Sequence, residues 1–228
     1  MSRNARRIAR AHKLVGLVVG LQLLFWTASG LFFTLFPIEQ IRGEHLRKEP
    51  APVDAADVAG IVPPPLSGPI EQLELRVVSG QPVWEIASEG NSRLVDARSG
   101  APLPAPDADA VRAIAESAWA GDGTVIRVEL VERPPRETFS GKPVWRVDFD
   151  GADRATFWVD PDTREIRAVR TGKWRLFDVL WRFHIMDVTG DDRFDSWWLK
   201  LVAFLGLTTV LLGIGLIVHR AMAGRLLR

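Results

Sequence analysis

The sequence predicts a membrane α+β protein, in which two transmembrane helices flank an exported loop of two similar units. Each unit is predicted as a helix on an antiparallel β-sheet, and the first unit is degenerate. Three observations support this fold class: two long apolar stretches, a charged region between them that holds most of the 15 prolines, and a strand pattern that occurs twice in that region. The net charge of +1 is therefore a sum over the apolar stretches and the charged region, and describes neither of them.

The apolar stretches are residues 14–36, which carry no formal charge, and residues 197–218, whose only charged residue is Lys200. Each can cross a hydrocarbon core of about 30 Å, which takes roughly 20 helical residues. The first exceeds the apolar region of about 7–15 residues that is typical of a signal peptide, and it ends in LFFTLFP rather than at a small-residue cleavage site. We therefore predict two transmembrane helices, the first an uncleaved anchor.

Orientation follows from the terminal tails, residues 1–13 and 219–228, which contain basic but no acidic residues. Basic flanks favour the cytoplasmic side, so both termini are predicted to be cytoplasmic. Residues 37–196 then lie outside a bacterial inner membrane, in the periplasm of a Gram-negative cell. Anionic lipid explains the basic tails, so the lipid bilayer is a predicted partner and nucleic acid is not.

The loop contains no cysteine, since the whole chain has none. This excludes disulfide bonds, thiolate metal sites and thiol catalysis. Its folding must depend on a packed hydrophobic core.

An internal repeat organises the loop. The stretch QPVWEIASEGNSRLVDARSGAPLP (81–104) resembles KPVWRVDFDGADRATFWVDPDTREIRAV (142–169): each has a Pro-Val-Trp strand, a turn and a second strand that ends in Val-Asp. Polar and apolar residues alternate in the second copy, which predicts a β-hairpin.

A helix is predicted in DADAVRAIAESAWAG, with Asp107 or Asp109 as its N-cap, because apolar residues recur there at helical spacing. GTVIRVELVE follows as a strand. Residues 50–69 are interpreted as a proline-rich connector over a vestigial first helix. The predicted segments of the loop are a juxtamembrane segment with this connector (37–69), a degenerate unit (70–104), a complete unit (105–172) and an amphipathic juxtamembrane segment (173–196).

The helix followed by VIRVEL, KPVWRVDF and RATFWVDPDTREI resembles the PepSY domain. The flanking HKLVGLVVGLQLLFWTASGLFFTLFPIEQIRGEHL and FHIMDVTGDD resemble the PepSY-associated transmembrane family, over nearly the whole chain. This resemblance implies a PepSY inner-membrane protein. Some relatives are peptidase-associated or inhibitory, others accompany iron and siderophore uptake, and some are haem ferric reductases. Longer relatives have more spans than the two predicted here, and a homodimer would supply additional helices.

The chain has four histidines, and all lie near ends of the predicted spans: His12, His45, His184 and His219. By resemblance to the reductases, His12 and His184 correspond to haem ligands. Haem iron takes axial ligands from opposite faces, so a haem b on the cytoplasmic side would use His12 and His219. One on the outer side would use His45 and His184.

Glycines accompany the cytoplasmic-side histidines. Gly16 and Gly20 share a helix face with His12, and Gly215 lies one turn before His219. They leave space beside the histidines for a macrocycle. In the alternative interpretation they form a small-residue helix-packing motif, and the histidines are interfacial polar groups.

Two roles stay open for His184. Arg175, Asp178 and Arg182 form a polar stripe at helical spacing, and His184 falls roughly opposite, on the face that meets membrane or protein. An imidazole there needs a hydrogen-bond partner. Either a structural hydrogen bond or haem ligation meets that need.

The remaining features are explained without a bound metal. The aspartates of DVTGDDRFD offer oxygen ligands for a hard cation, but an acidic cap before a helix explains them equally: Asp187, Asp191, Asp192 and Asp195. No metal site is therefore predicted. The tryptophans near the second span match an interfacial aromatic belt: Trp174, Trp181, Trp197 and Trp198.

Two functions remain. In the first, the protein is a haem-binding electron-transfer or ferric(-siderophore) reductase component of iron uptake. In the second, it is a non-catalytic membrane anchor whose periplasmic PepSY-like loop binds or inhibits a partner protein such as a peptidase or an uptake receptor. No nucleotide, serine-hydrolase or metal-hydrolase motif occurs in the sequence, so any enzymatic activity would be that of a haem-dependent oxidoreductase component.

Overall fold

The computed structural model describes residues 3–49, 52–187 and 195–222, and of residues 3–12, 216, 219 and 220 only the backbone. The chain forms two compact units. We call Met1–Pro37 together with Leu176–Arg228 the helical unit, and Ile38–Arg175 the β unit.

The helices are α1 (Arg3–Leu35), α2 (Ile38–Ile41), α3 (Ala108–Ala118), α4 (Gly172–His184) and α5 (Trp197–Met222), with 3₁₀ turns at Glu44–Leu46 and Arg136–Thr138. The strands are β1 (Gln72–Val78), β2 (Gln81–Ser88), β3 (Asn91–Asp96), β4 (Val125–Val131), β5 (Val144–Phe149), β6 (Thr156–Val159) and β7 (Ile166–Arg170). Strands β1–β3 form one antiparallel sheet and β4–β7 a second.

The helical unit contains both predicted spans. Helices α1 and α5 pack against each other, and their apolar stretches Lys13–Leu35 and Trp197–Gly215 are long enough to cross a membrane. Only 11% and 0% of these stretches are buried within the chain. Helices that are apolar on all sides and unburied require an apolar surrounding, so the chain is a membrane protein.

The first sheet is built from tight hairpins. Ser79 and Gly80 join β1 to β2, and Glu89 and Gly90 join β2 to β3, all four with positive φ. Two successive left-handed residues form the turn whose twist matches that of paired strands. These turns therefore fix the register of the sheet locally.

The second sheet carries the main core. Helix α3 covers one face, and Asp107 is its N-cap, because the carboxylate accepts a 2.9 Å hydrogen bond from the Ala110 N–H. Below the helix lie the buried apolar side chains of α3 and of the inward positions of the strands: Val111, Ile114, Ala115, Val147, Phe149, Phe157 and Val159. The predicted helix, strand and hairpin of this copy are all confirmed.

The first copy is degenerate, as predicted, but the predicted vestigial helix is wrong for the described residues 52–69. Residues 55–60 form successive turns, with i to i+3 hydrogen bonds from Asp57 to Asp54 and from Ala59 to Ala56. Such a short segment, with prolines directly after it, is too small to stabilise an isolated helix. The counterpart of β7 is reduced to a bridge between Val95 and Pro102.

The Val-Asp ends of β3 and β6 form equivalent turns, which supports the repeat. The Asp96 carboxylate accepts hydrogen bonds from the backbone N–H groups of Arg98 (3.0 Å) and Ser99 (2.6 Å), and from the Ser99 hydroxyl (2.8 Å). Asp160 accepts equivalent bonds from the N–H groups of Asp162 and Thr163. The bonds from Ser99 lower the pKa of Asp96 below its ordinary value.

Candidate functional site

His184 lies near the C-terminal end of α4, in the helical unit, and its Nδ1 is 2.8 Å from the Ser29 hydroxyl oxygen on α1. Ser29 is only 4% exposed, although it sits in an apolar span. The structure therefore gives His184 a buried hydrogen-bond partner.

The direction of this bond depends on where the single hydroxyl proton of Ser29 lies. The Ser29 oxygen is also 2.7 Å from the carbonyl oxygen of Phe25, which only accepts. When the hydroxyl donates to Phe25, the Nδ1–H of a neutral His184 donates to Ser29. This tautomer leaves a lone pair on Nε2, the state of the nitrogen that ligates metals.

Aromatic rings surround the imidazole. The Trp181 ring lies parallel to it with centroids 6.3 Å apart, while Phe33 and Trp26 of α1 lie 5.4 and 6.1 Å away. Phe177 also packs on Phe33, at 4.7 Å. The face of α4 predicted to meet membrane or protein thus packs on α1.

The cytoplasmic-side candidates are only partly described. His12 and His219 lie in α1 and α5, but their side chains lie outside the described part of the structure. A Cβ added to Gly16, Gly20 or Gly215 would meet no atom within 4 Å, so there is space beside the helices at these positions. Ligation by this pair stays a prediction.

His45 belongs to the β unit, where it is exposed in the 3₁₀ turn Glu44–Leu46. It borders a cavity of about 170 Å³ together with Trp119, Asp122 and Asp153. This volume is below the roughly 300 Å³ of a typical ligand pocket, so the cavity by itself does not hold a macrocycle.

Two of the four aspartates of the acidic cluster lie in the described part of the structure. Asp187 is buried and Asp195 is exposed, whereas Asp191 and Asp192 lie outside the described residues. Among the described residues, no group of three or more histidine and carboxylate side chains is arranged to hold a metal ion.

The larger cavity, about 510 Å³, lies on the face of the second sheet opposite α3. We call it the outer-face pocket. Its floor comes from Arg146 and Asp148 of β5 and from their cross-strand partners on β6, Trp158 and Thr156. These positions alternate with the core positions of the same strands, so one hairpin forms both the core and the pocket floor.

Segments outside the hairpin complete the pocket walls. Glu137 comes from the 3₁₀ turn Arg136–Thr138, Arg154 from the connection between β5 and β6, and Arg175 from the first turn of α4. Thr171 holds that turn by accepting a 3.0 Å hydrogen bond from the Trp174 N–H.

The pocket acids are all engaged by the protein. Asp148 accepts bonds from Arg146 (3.0 Å) and Thr156 (2.8 Å). Glu137 accepts bonds from Trp158 Nε1 (3.1 Å) and from Arg175 (3.2 Å). These linked bonds fix the polar lining in one arrangement, which is a property of preorganised binding sites.

Asp150 is engaged by accepting a 2.6 Å bond from the Thr124 backbone. Arg154, in contrast, makes no ion pair with any side chain in the described ranges, and it is exposed at the pocket rim.

The sequence interpretation did not identify this pocket. A signal was present, because the alternation in β5 and β6 puts Arg146, Asp148 and Trp158 on one face of the sheet. Nothing in the local pattern indicates that Glu137 and Arg175 join them, since they are 38 residues apart.

Comparison with known families adds the identity of the fold. The chain matches the family described as PepSY-associated TM region over residues 9–227. The chain belongs to this family. No curated protein and no solved structure matches it. The two spans and the repeated β unit are therefore the architecture of a PepSY-associated membrane protein, as the sequence predicted.

Proposed function

We propose that this PepSY-associated protein is a membrane-anchored recognition protein, whose β unit binds a segment of a partner polypeptide at the outer-face pocket. The pocket itself carries the proposal: its 510 Å³ lies within the roughly 300–1,000 Å³ typical of ligand sites, and its polar lining is preorganised on a rigid sheet. This is the second of the two functions predicted from the sequence.

Placement in the cell follows from the basic tails. With both termini cytoplasmic, the β unit projects from the outer side of a bacterial inner membrane, and the partner is periplasmic. A peptidase held inactive or an uptake receptor is the class of partner we propose. The spans anchor the β unit to the membrane, and the small-residue face of Gly16 and Gly20 suits helix pairing in a homodimer.

Site-specific photo-crosslinking in cells tests this function. A photoreactive phenylalanine replaces Ile126, which lines the pocket and is 62% exposed. We expect one defined polypeptide adduct. The control is the same substitution at Val53, which is 56% exposed and does not line the pocket. No adduct at Ile126, or the same adducts at both positions, would refute the proposal.

A second function, haem b binding for ferric reduction in iron uptake, is favoured by the Ser29–His184 bond. That bond engages Nδ1 and leaves Nε2 as the nitrogen available to ligate, so this residue fits one axial position. The sequence predicts His45 as the other outer-side ligand, and His12 with His219 for a cytoplasmic-side haem, and these ligands stay predictions. Bound haem would supply one-electron transfer, and Ser29 would orient the ligand ring.

Visible spectra of the protein purified in mild detergent from haem-replete cells test the second function. We expect a Soret band that shifts on reduction with dithionite and disappears in His184→Ala. Ser29→Ala should keep the band but change the reduction potential, because the ring loses its orienting partner. His45→Ala and His12→Ala identify the second ligand. A featureless spectrum from folded wild-type protein would exclude haem binding.

A further inference from the structure

Building on the proposed recognition function, we infer that the outer-face pocket selects a peptide segment bearing a carboxylate, which Arg154 binds. The pocket is lined by equal numbers of acidic and basic residues, so its formal charge favours neither an anionic nor a cationic ligand. The inference therefore depends on which of these charged groups already have partners in the protein.

The acids of the pocket already accept hydrogen bonds from the protein. Asp148, Glu137 and Asp150 each accept at least two contacts from groups fixed in the β unit. A cationic ligand would compete for these carboxylates with donors that are already in place, and displacing one of them would leave a donor without a partner. Binding of a basic peptide is therefore disfavoured.

Of the three arginines that line the pocket, Arg146 and Arg175 pair with these acids, whereas Arg154 is differently placed. Arg154 has no ion pair among the described side chains, and its backbone is held on both sides. Its N–H donates to the Gly151 carbonyl (3.0 Å), and its own carbonyl accepts from Arg175 (3.3 Å). A free guanidinium on a fixed backbone matches the planar geometry of a carboxylate, which it can bind through two parallel hydrogen bonds.

Apolar groups line the same pocket as this cation. Ile126 is 62% exposed, and Pro135 is also exposed there. The surface therefore suits a carboxylate with a neighbouring apolar side chain, a combination that a peptide offers and a free inorganic anion does not. An acidic side chain and a C-terminal carboxylate share this chemistry.

Selection of peptides on the full chain in nanodiscs of neutral lipid tests the inference. The probe is a library of short random peptides, presented once with free and once with amidated C-termini. We expect bound peptides to be enriched in Asp and Glu, or to require the free C-terminus. The two presentations distinguish these sources of the carboxylate.

Matched variants identify the residue responsible. Arg154→Gln should weaken binding of the selected peptides about tenfold or more, because a charge-assisted hydrogen bond is lost. Arg93→Gln removes the same charge from the exposed side of β3 and should leave binding unchanged. Arg154→Lys should recover part of the affinity, since the charge remains without the planar geometry.

The outcomes separate this inference from the function on which it rests. Peptides that crosslink at position 126 but are neutral or basic would overturn the carboxylate inference and leave recognition at the pocket intact. Equal loss of affinity in Arg154→Gln and Arg93→Gln would overturn the role of Arg154. Selection that returns no peptide crosslinked at position 126 would overturn both.

Discussion

The two sheets of the β unit are both antiparallel with strands in chain order, and β3 and β6 are each followed by an Asp-centred turn, but the sheets differ in how their strands are connected. Two-residue turns join β1, β2 and β3, whereas β4 to β5 and β5 to β6 are joined by the longer segments 132–143 and 150–155. The outer-face pocket uses residues of these longer segments and none of the first sheet. The two sheets thus share a strand arrangement, and the candidate site lies in the sheet whose connections are long enough to contribute side chains to a pocket.

Their hydrophobic cores differ as well. Helix α3 covers the second sheet. Among the described residues before the first sheet, the α-helices are α1, in the helical unit, and α2, which has only four residues. The main buried cluster accordingly draws its sheet residues from the second sheet and none from β1, β2 or β3. We expect the second sheet to be the more stable part of the β unit.

The largest effect should come from removing a core aromatic of the second sheet. Phe157 is fully buried and contacts the rings of Trp119 and Phe149. Phe157→Ala should cost about 3–5 kcal/mol in the free energy of unfolding. Hydrogen exchange of the full chain should show lost protection in β5–β7 and less change in β1–β3. Equal loss in both sheets would contradict their separate stability.

Removing Glu137 tests the longer connection directly. Glu137→Ala leaves the buried Trp158 Nε1 without its acceptor and removes the ion pair to Arg175. We expect a loss of about 1–3 kcal/mol, near the lower limit because Arg175 is partly exposed. Thermal unfolding in detergent measures it. Glu129→Ala is the control, since Glu129 is more exposed and its ion pairs are longer, 3.6 Å. A similar loss in both variants would show that the pocket network adds nothing special.

The cap of α3 should have a smaller effect. Asp107→Ala removes the acceptor of the Ala110 N–H and should cost about 1 kcal/mol, seen as faster exchange in the first turn of α3. Asp109→Ala, in the same turn, loses only a favourable interaction with the helix dipole and should cost about 0.3–1 kcal/mol. If the two variants behave alike, the side-chain cap is not what stabilises the helix start.

The smallest effect concerns the turn after β3. The backbone N–H of Ser99, and then its hydroxyl, lower the pKa of Asp96. A lowered pKa means that the contribution of the carboxylate to stability is present above its ordinary pKa, and is lost as the pH falls through the lowered pKa. Carbonyl NMR titration should show this low pKa, and Ser99→Ala should raise it toward the ordinary value. An unchanged pKa in Ser99→Ala would assign the effect to the backbone alone.

Much of the fold was predictable because its signals are local. The apolar lengths predicted both membrane helices, the alternation in 144–159 predicted the β5–β6 hairpin, and helical spacing after Asp107 predicted α3. The prediction of a vestigial helix within residues 50–69 was wrong because a weak local pattern was interpreted by analogy with the second copy. Its segment has neither the length nor a described packing partner to form a helix.

The sequence by itself determined the two spans, the repeated strands, the absence of cysteine chemistry and the set of candidate histidines. Tertiary structure alone decided which side chains meet. It paired the Nδ1 of His184 with the Ser29 hydroxyl, 155 residues away. It also joined Glu137 and Arg175 across the outer-face pocket and left Arg154 without an ion pair among the described residues. Periodicity along a chain reports which face a residue occupies, whereas hydrogen bonds between distant segments depend on how those faces pack.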